Sequence, residues 1–494
     1  MIELGTGVLT GAQVGRIARD RESVALADGV LDRVAVAHRE VLRLAGERAV
    51  YGRTTGVGST LTVPVEDDPL RHQHRLLASH AATGGPAHPP EVVRAMLAVR
   101  IEQLAVGASG VSPPVLPALV DLLNSDELPS IGRFTSLGTG DIGALARIGL
   151  ALPAGVLGPG DAMPLMSSNA LTLGAAALAG LDLDRLLAAA VAVAGLSAAG
   201  LHASPEAFDP GAVGPFPGPR QVAAVIFPLL VGTTGGPERR VQDPYGLRTA
   251  AQTLGLAVDA AGELRAVIAA LVGAGLENPA VLDAGTPRAR VVHHGAFHAL
   301  HLTAALDGAA AALARAAAGS VNRLDMLCRP DPLVGATENP EHWADWESGG
   351  PVTRPYLAAG PATSSGLMGL EYVAGAALGE IRAAAVPAGL QTLEVGLGVE
   401  QDAGFAPLAA RQLAESVRAA RVVLAVELVA AVRALRLRAV RPGVALAALL
   451  DSSGVFALPT GMQDRDLTGD LALAEDLLGT LAGHPFADGR PEYR

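Results

Sequence analysis

Apolar residues recur at spacings of three and four along most of the chain, which is the period of an amphipathic helix. The pattern is clearest in four stretches that we predict as helices, residues 92–104, 116–123, 221–230 and 408–435. Alternation typical of strands is confined to residues 61–65 and 288–292, and Pro64 weakens the first of these. The hydrophobic pattern therefore predicts an all-α protein.

Composition and length indicate how the helices pack and how many lobes the chain forms. Half of the 494 residues are apolar, mainly Ala, Leu and Val, and only 3% are aromatic. Small side chains let helices approach closely, and the length exceeds the ~250–300 residues at which a single core usually stops growing. We place a boundary at the Gly- and Pro-rich stretch 205–219, which gives an N-terminal lobe, 1–204, and a long-helix region, 205–494.

Charge and residue usage exclude several classes of function. The net charge of −12 without a basic run argues against a nucleic-acid or anionic-membrane partner. Arg and Asp interrupt the Ala-rich runs, so we interpret them as buried helices of a soluble protein. The chain contains no lysine, which excludes the lysine Schiff base of pyridoxal phosphate (PLP) enzymes. The single cysteine, Cys328, and a start without a secretory pattern lead us to expect a cytoplasmic protein.

Residues 133–147, RFTSLGTGDIGALAR, carry the most specific motif. This stretch resembles the GSVGASGDLAPLAH signature of the aromatic amino acid ammonia-lyase and aminomutase family, which includes the histidine, phenylalanine and tyrosine ammonia-lyases. In that family Ala-Ser-Gly cyclises and dehydrates to a methylidene-imidazolone (MIO), an electrophile that captures the substrate amine. The resemblance implies that a methyl-substituted MIO forms here from Gly138, Thr139 and Gly140.

Threonine at position 139 changes that chemistry. Thr139 has the β-hydroxyl that dehydration requires, but its loss leaves an ethylidene group whose extra methyl hinders attack by an amine. The alternative is that the prosthetic group is absent. A literal Ala-Ser-Gly at residues 108–110 lies in a segment similar to a helical stretch of the family that forms no such group.

Two further motifs resemble the part of the family's site that handles the substrate side chain. VYGRTTGVG, residues 50–58, resembles YGxNTGFG, which implies that Tyr51 is the base that removes the substrate β-proton. Because a phenol ionises near pH ~10, this role requires a lowered pKa. QHRLLASHAATGG, residues 73–85, is similar to LQxNLxxSHAxGxG, and its pair Ser79-His80 resembles the histidine-using branch.

The longest match is VQDPYGLRTAAQTLG, residues 241–255, which resembles VQDPYSLRCxPQVxG. The resemblance implies that Arg248 binds the substrate carboxylate, with Tyr245 as a catalytic residue and Gln242 beside it, partly from a neighbouring subunit. A guanidinium group suits this task because its planar fork donates two parallel hydrogen bonds to a carboxylate.

Other segments add single residues and departures from the family pattern. HHGAFHALH resembles GGNFHG and places Phe297 in the substrate pocket, while VEQDAGF resembles NQEDHVSM and places Gln401 at the amine. Ser167 occupies the position of the Asn that hydrogen-bonds the imidazolone carbonyl, with Asn169 two residues later. Three histidines, at 294, 298 and 301, have helix-like spacing, but no acidic residue joins them and the resemblance implies no metal.

Together these motifs imply a histidine ammonia-lyase-like fold, with a long central helical bundle and a smaller N-terminal lobe, assembled as a homotetramer with shared active sites. Three functions stay open. The chain is a carbon–nitrogen lyase or aminomutase acting on an α-amino acid, an enzyme without MIO that uses the same pocket for another elimination, isomerisation or cyclisation in specialised metabolism, or a non-catalytic binder of small molecules.

Overall fold

The structure, a computed structural model, describes residues 1–66, 68–125, 127–234, 241–329, 354–438 and 440–483. Helices α1 to α16, numbered along the described residues, are Gly11–Ala18, Val30–Ala45, Pro69–His80, Pro90–Ala105, Val115–Asn124, Ile142–Ala151, Ala162–Met166, Ala170–Gly200, Pro217–Leu230, Tyr245–Arg248, Ala250–Val272, Leu300–Cys328, Met368–Ala384, Ala406–Leu437, Val444–Ser453 and Thr468–Ala482. Strands β1 to β6 are Ile2–Leu4, Val24–Leu26, Gly84–Ala87, Gly132–Phe134, Ala280–Leu282 and Arg290–Val292.

The described residues form two compact units, each assembled from three segments of the chain. Unit 1 consists of Met1–Leu181, Glu263–Asp307 and Pro387–Gln412, and unit 2 of Asp182–Gly262, Gly308–Val386 and Leu413–Arg494. The long helices α8, α11, α12 and α14 each have residues in both units. The division at residues 204 and 205 is a division along the sequence and stays a prediction.

Unit 1 is built around α4, which packs against α1, α2 and α5. All residues of α4 from Val93 to Ala105 are buried, its charged and amide side chains included. Glu102 is satisfied there because its carboxylate accepts the backbone N–H groups of Gly5 at 2.6 Å and Gly7 at 2.7 Å. Three small sheets complete the unit: β1 pairs with β2 in parallel, and the pairs β3–β4 and β5–β6 are antiparallel.

Unit 2 contains a buried ion pair between two of its helices. Arg323 of α12 donates to Glu427 of α14 through Nε at 2.6 Å and Nη2 at 2.9 Å. Ser197 of α8 donates to the same carboxylate at 2.7 Å, and Ser320 donates to its other oxygen. A buried charge pair is tolerated only when its hydrogen-bonding capacity is met, so these contacts fix how three helices of the unit pack.

The four predicted helices all lie within observed ones, α4, α5, α9 and α14. Of the two predicted strands, residues 288–292 contain β6, whereas residues 61–65 contribute only an isolated bridge between Thr55 and Pro64. The remaining strands have three or four residues each, too few for an alternating pattern to stand out.

One described stretch, Met368–Leu390, is long and apolar enough to span a membrane by length and composition. It carries Glu371, Glu380 and Arg382. The same test is passed by helices of proteins that never enter a membrane, so the expected absence of a membrane partner stays a prediction.

Candidate active site

The turn between β4 and α6 carries the three residues predicted to form the electrophile. Gly138 and Gly140 have φ values of +94° and +115°, a region that side chains rarely adopt. The Ser136 hydroxyl closes the turn, because it accepts the N–H of Gly138 at 3.2 Å and donates to the carbonyl of Gly140 at 3.1 Å. The sequence thus supplies a compressed turn with the hydroxyl-bearing Thr139 at its centre.

Backbone packing explains the glycine at position 138. A Cβ added there would lie 2.8 Å from the nitrogen of Phe405 and 3.3 Å from the carbonyl carbon of Gly404. Phe405 is fixed in this place because its N–H donates to the carbonyl of Leu137 at 2.9 Å. The alanine that the family carries here would clash with the chain leading into α14.

Asp141 anchors the turn to the start of α8. Its carboxylate is fully buried and accepts the N–H of Thr172 at 2.8 Å and the hydroxyl of Thr172 at 2.9 Å. Burial raises the pKa of Asp141, although the hydrogen bonds from Thr172 oppose the rise. The carbonyl of Ser168 accepts the Asp141 N–H at 2.6 Å, so the turn and the segment before α8 are held together.

The turn itself fits ring closure to an imidazolone, since it combines a β-hydroxyl with two conformationally free glycines. The two residues expected near the imidazolone carbonyl each make another contact. Ser167 Oγ accepts the N–H of Asn278 at 2.9 Å, and Asn169 Nδ2 donates to the carbonyl of Phe297 at 3.3 Å. These contacts use neither the hydroxyl proton of Ser167 nor the second amide proton of Asn169.

Thr139 lines a cavity of about 580 Å³ formed by residues of unit 1. Much of the lining is apolar, but four side chains are charged or titratable, His88, Arg133, Glu400 and Arg411. Nε2 of His88 is buried without a hydrogen-bond partner among the described residues. Burial and the two guanidinium groups lower the pKa of His88, which therefore favours the neutral ring.

Tyr51 lines a second cavity, of about 620 Å³, which is also formed by unit 1. Ser79 and His80 face the same space, together with Met163 and Met166. The structure therefore brings together the predicted base and the predicted side-chain-selecting pair. Ile142 and Glu400 line both cavities, so the spaces around Tyr51 and Thr139 adjoin.

Tyr51 is held both at its backbone and at its phenol oxygen. The Tyr51 N–H donates to Nε2 of His293 at 3.2 Å, and the phenol oxygen accepts the N–H of Gly58 at 2.8 Å. Burial raises the pKa of Tyr51, the negative charge of Glu400 raises it further, and the hydrogen bond from Gly58 opposes both. The pKa of Tyr51 is thus raised here, whereas the base role requires a lowered one, because burial and a carboxylate both disfavour the phenolate.

His80 is held in one tautomer by its own helix. Its Nδ1 lies 2.8 Å from the carbonyl oxygen of Leu76 and 3.0 Å from the hydroxyl of Ser79. Since a carbonyl oxygen only accepts, Nδ1 carries the proton and Nε2 is the acceptor nitrogen of the neutral ring. A substrate hydrogen-bond donor is the group that this arrangement can recognise.

The predicted carboxylate-binding residues lie in unit 2, on and beside α10. The guanidinium of Arg248 stacks over the ring of Tyr245 at 4.9 Å, and the Arg248 Nε is buried without a partner among the described residues. Tyr245 is 71% exposed and Gln242 is exposed. These three residues line neither of the two cavities.

Gln401 and His298 depart from expectation in their contacts. The amide of Gln401 is exposed, donates to the carbonyl of Gly398 at 2.6 Å and lines neither cavity. Nε2 of His298 lies 3.4 Å from a carboxylate oxygen of Asp402, so an acidic residue does lie beside one histidine of that group. Among the described residues, no group of three or more His, Cys, Asp or Glu side chains is arranged to hold a metal ion.

Glu400 is one of several charged or titratable residues of these cavities that the sequence motifs did not identify. The family's NQED reads VEQD here, so the acid precedes the glutamine instead of following it. This exchange of acid and amide is the sequence signal that points to Glu400.

Comparison with known proteins decides the family. A sequence model described as aromatic amino acid lyase matches residues 9–156 and 152–453. The chain belongs to the aromatic amino acid lyase family. Histidine ammonia-lyase of Streptomyces coelicolor is 30% identical over 98% of this chain and 98% of its own length. Probable histidine ammonia-lyase of Halobacterium salinarum is 31% identical, over 95% of this chain and 93% of its own length.

Solved structures agree on the fold of this family member. Ergothionase from Treponema denticola, in complex with desmethyl-ergothioneine sulfonic acid, has a TM-score of 0.83 at 22% identity and covers 97% of this chain and 99% of its own. Phenylalanine aminomutase of Pantoea agglomerans also has a TM-score of 0.83, at 23% identity over 97% and 98% of the two chains. The predicted family, the predominantly helical fold and the assignment as an ammonia-lyase-like enzyme are confirmed.

Proposed function

We propose that this enzyme is a carbon–nitrogen lyase or aminomutase that acts on an α-amino acid, with Tyr51 as the base for the β-proton. One observation carries the proposal. The Thr139 turn and Tyr51 line adjoining cavities, and Ile142 and Glu400 line both of them. A reaction that adds an amine to one centre and removes a proton from the neighbouring carbon needs both groups within reach of one substrate.

The residues of the turn are suited to hold the prosthetic group. When formed from residues 138–140, that group supplies the electrophile that captures the amine. Tyr51 would accept the β-proton on its phenol oxygen, which the loop holds through the Gly58 N–H. Because burial and Glu400 raise the pKa of this phenol, the base role requires positive charge brought near Tyr51 by the substrate or a neighbouring subunit.

Histidine is the substrate that we propose to test first. His80, with Nε2 as an acceptor, suits a side chain that donates a hydrogen bond, such as an imidazole N–H. The relatives named histidine ammonia-lyase favour the same choice. Arg248 would take the substrate carboxylate, a role supported by its Nε, which has no hydrogen-bond partner within the part of the chain that the structure describes.

A second candidate function is acid–base chemistry in the same pocket without the prosthetic group. The residue at position 167 favours it, because Ser167 stands where the family carries the Asn that hydrogen-bonds the imidazolone carbonyl, and the Asn169 amide donates to the carbonyl of Phe297 at 3.3 Å. In that case Tyr51 would act in another elimination, isomerisation or cyclisation.

Intact mass and turnover test the proposal together. We expect the purified chain to weigh less than its translated sequence by two waters. It should also convert L-histidine, L-phenylalanine or L-tyrosine, with ammonia release by a lyase or a β-amino acid product from an aminomutase. Thr139→Ala should abolish both the mass loss and the conversion. Tyr51→Phe should keep the mass loss but slow turnover by about 10²-fold or more, the usual contribution of a positioned base.

The other outcomes separate the alternatives. An unmodified mass with Tyr51-dependent turnover of another substrate would favour the chemistry without the prosthetic group. An unmodified mass, no turnover and no binding of any amino acid would overturn both proposals.

We also propose that the active enzyme is a homotetramer. Arg248, Tyr245 and Gln242 lie outside both cavities, and in the family the carboxylate-binding residues come partly from a neighbouring subunit. A second copy of the chain would then complete the site.

A further inference from the structure

Glu400 lies where the two cavities adjoin. It lines the space around Thr139 and also the space around Tyr51, and it is the only carboxylate among the described residues that line either one. It is half-buried, and its charge acts directly on Tyr51. A carboxylate in this position faces whatever part of a ligand spans the two reacting residues.

A short hairpin fixes the direction of Glu400. The N–H of Val395 donates to the carbonyl of Glu400 at 2.9 Å, and the N–H of Glu400 donates to the carbonyl of Val395 at 3.3 Å. Between them the chain turns through Gly396 and Gly398, with φ values of +66° and +82°. These two hydrogen bonds fix the backbone of Glu400, from which its side chain extends to the cavities.

Glu400 and Gln401 are adjacent, yet they face different surroundings. The amide of Gln401 folds back onto the carbonyl of Gly398 at 2.6 Å and is exposed. Glu400 faces both cavities instead. The side chain predicted to contact the substrate amine is therefore turned away from Thr139 and Tyr51, and its neighbour is turned towards them.

The other titratable groups lining these cavities are basic, apart from the phenol of Tyr51. They are His88, Arg133 and Arg411 around Thr139, and His72, Arg75 and His80 around Tyr51. A ligand's anionic groups have several partners in such surroundings, but a ligand ammonium has one carboxylate to pair with. An ammonium donates three hydrogen bonds, and those to a carboxylate are charge-assisted and short.

We propose that Glu400, and not Gln401, binds the α-ammonium group of the amino acid substrate. The inference rests on the proposed function and adds the residue that recognises the amine. An ammonium must lose a proton before its nitrogen can act as a nucleophile. In this step one N–H bond breaks, an O–H bond forms on a carboxylate oxygen of Glu400, and the amine keeps the electron pair.

Pairing with the ammonium has a second consequence, at Tyr51. The negative charge of Glu400 opposes ionisation of the phenol. An ammonium bound to Glu400 offsets that charge, so arrival of the correct substrate makes Tyr51 easier to ionise. A carboxylic acid without the amine would leave the effect of Glu400 in place.

Binding to matched ligands with and without the amine tests the proposal. The variants are Glu400→Gln and, as a control, Glu394→Gln, an exposed acid of the same segment that lines neither cavity. All are made in the full-length chain carrying Tyr51→Phe, which slows turnover during calorimetry. The ligand pairs are L-histidine with imidazole-4-propionate, and L-phenylalanine with 3-phenylpropionate.

We expect Glu400→Gln to weaken binding of the amino acids by roughly tenfold or more, the effect of losing a charge-assisted hydrogen bond. Affinity for the amine-free acids should stay the same or rise, and Glu394→Gln should change neither. Equal losses for both members of a pair, or no loss, would overturn the role of Glu400 while leaving the proposed function intact. Failure of the parent chain to bind any of the four ligands would overturn both.

Ultraviolet titration gives a readout that does not depend on a substrate. The tyrosinate absorbance of Tyr51 is isolated by subtracting the Tyr51→Phe chain. Removing the Glu400 charge in an otherwise unchanged chain should lower the pKa of Tyr51, because that charge raises it. An unchanged Tyr51 titration would show that Glu400 does not face the phenol, and the proposal would fall.

Discussion

At the scale of single residues, the site depends on how closely the backbone packs around the electrophile turn. The sequence alone makes Gly138 acceptable, since the first residue of the triad contributes little to ring closure. The structure makes it necessary, because Phe405 and Gly404 occupy the space of a side chain. The substitution at position 138 and the path of the chain into α14 therefore belong together.

Gly138→Ala should lower the free energy of unfolding by more than the cost of placing an alanine at positive φ, because the added Cβ also overpacks the turn. An alanine forced to positive φ costs about 1–3 kcal/mol, and overpacking adds about 1–3 kcal/mol. Gly155→Ala is the matched control, because Gly155 has φ +86° in the same unit with nothing within 4 Å of an added Cβ. Urea unfolding followed by circular dichroism should give the larger loss for Gly138→Ala. Equal losses would mean that the segment around Phe405 moves aside at no cost.

At the scale of elements, the sequence predicted helices better than it predicted what they bury. The apolar period located α4 correctly, yet its polar side chains Arg94, Arg100, Glu102 and Gln103 are all buried. Their partners come from distant segments, such as Glu277 for Arg100, and a local pattern carries no information about them. Motif resemblance found the turn, Tyr51 and His80 for a different reason, since it depends on identity at fixed spacing. It named Gln401 for the amine contact, but it could not show that this side chain lines neither cavity, because local sequence does not determine the direction of a side chain beside the hairpin at 395–400.

The buried pair of Arg100 and Glu277 tests the importance of α4 for the site. Arg100 donates to Glu277 at 2.8 Å and to the carbonyl of Leu165 at 3.1 Å, close to the segment before α8. Arg100→Met leaves a buried carboxylate without its cation, and we expect a loss of about 3–5 kcal/mol. Arg100→Met with Glu277→Leu should recover much of that loss, and the exposed Arg39→Met should cost almost nothing. Urea unfolding measures all three, and a double variant no more stable than Arg100→Met would contradict the pairing.

At the scale of the whole molecule, the predicted active-site residues divide between two sets within one chain. Tyr51, Ser79, His80 and Thr139 line cavities of unit 1, while Arg248 and its neighbours in α10 line neither cavity. Sequence motifs name both sets without saying which copies of the chain they come from. The proposed reaction is therefore tested most directly in the assembled oligomer.

Subunit complementation provides that test. Tyr51→Phe and Arg248→Gln should each reduce turnover strongly, because one lacks the base and the other lacks the carboxylate contact. If each site takes Tyr51 and Arg248 from different subunits, co-expression of the two variants creates some sites with both residues intact. Random mixing in equal amounts would restore roughly a quarter of the sites in a symmetric oligomer. Light scattering checks the tetramer, and separately purified variants that are not allowed to exchange subunits serve as the control. Hybrids with no more activity than the two variants measured apart would require both residues to come from one chain, since then no mixture could ever assemble an intact site.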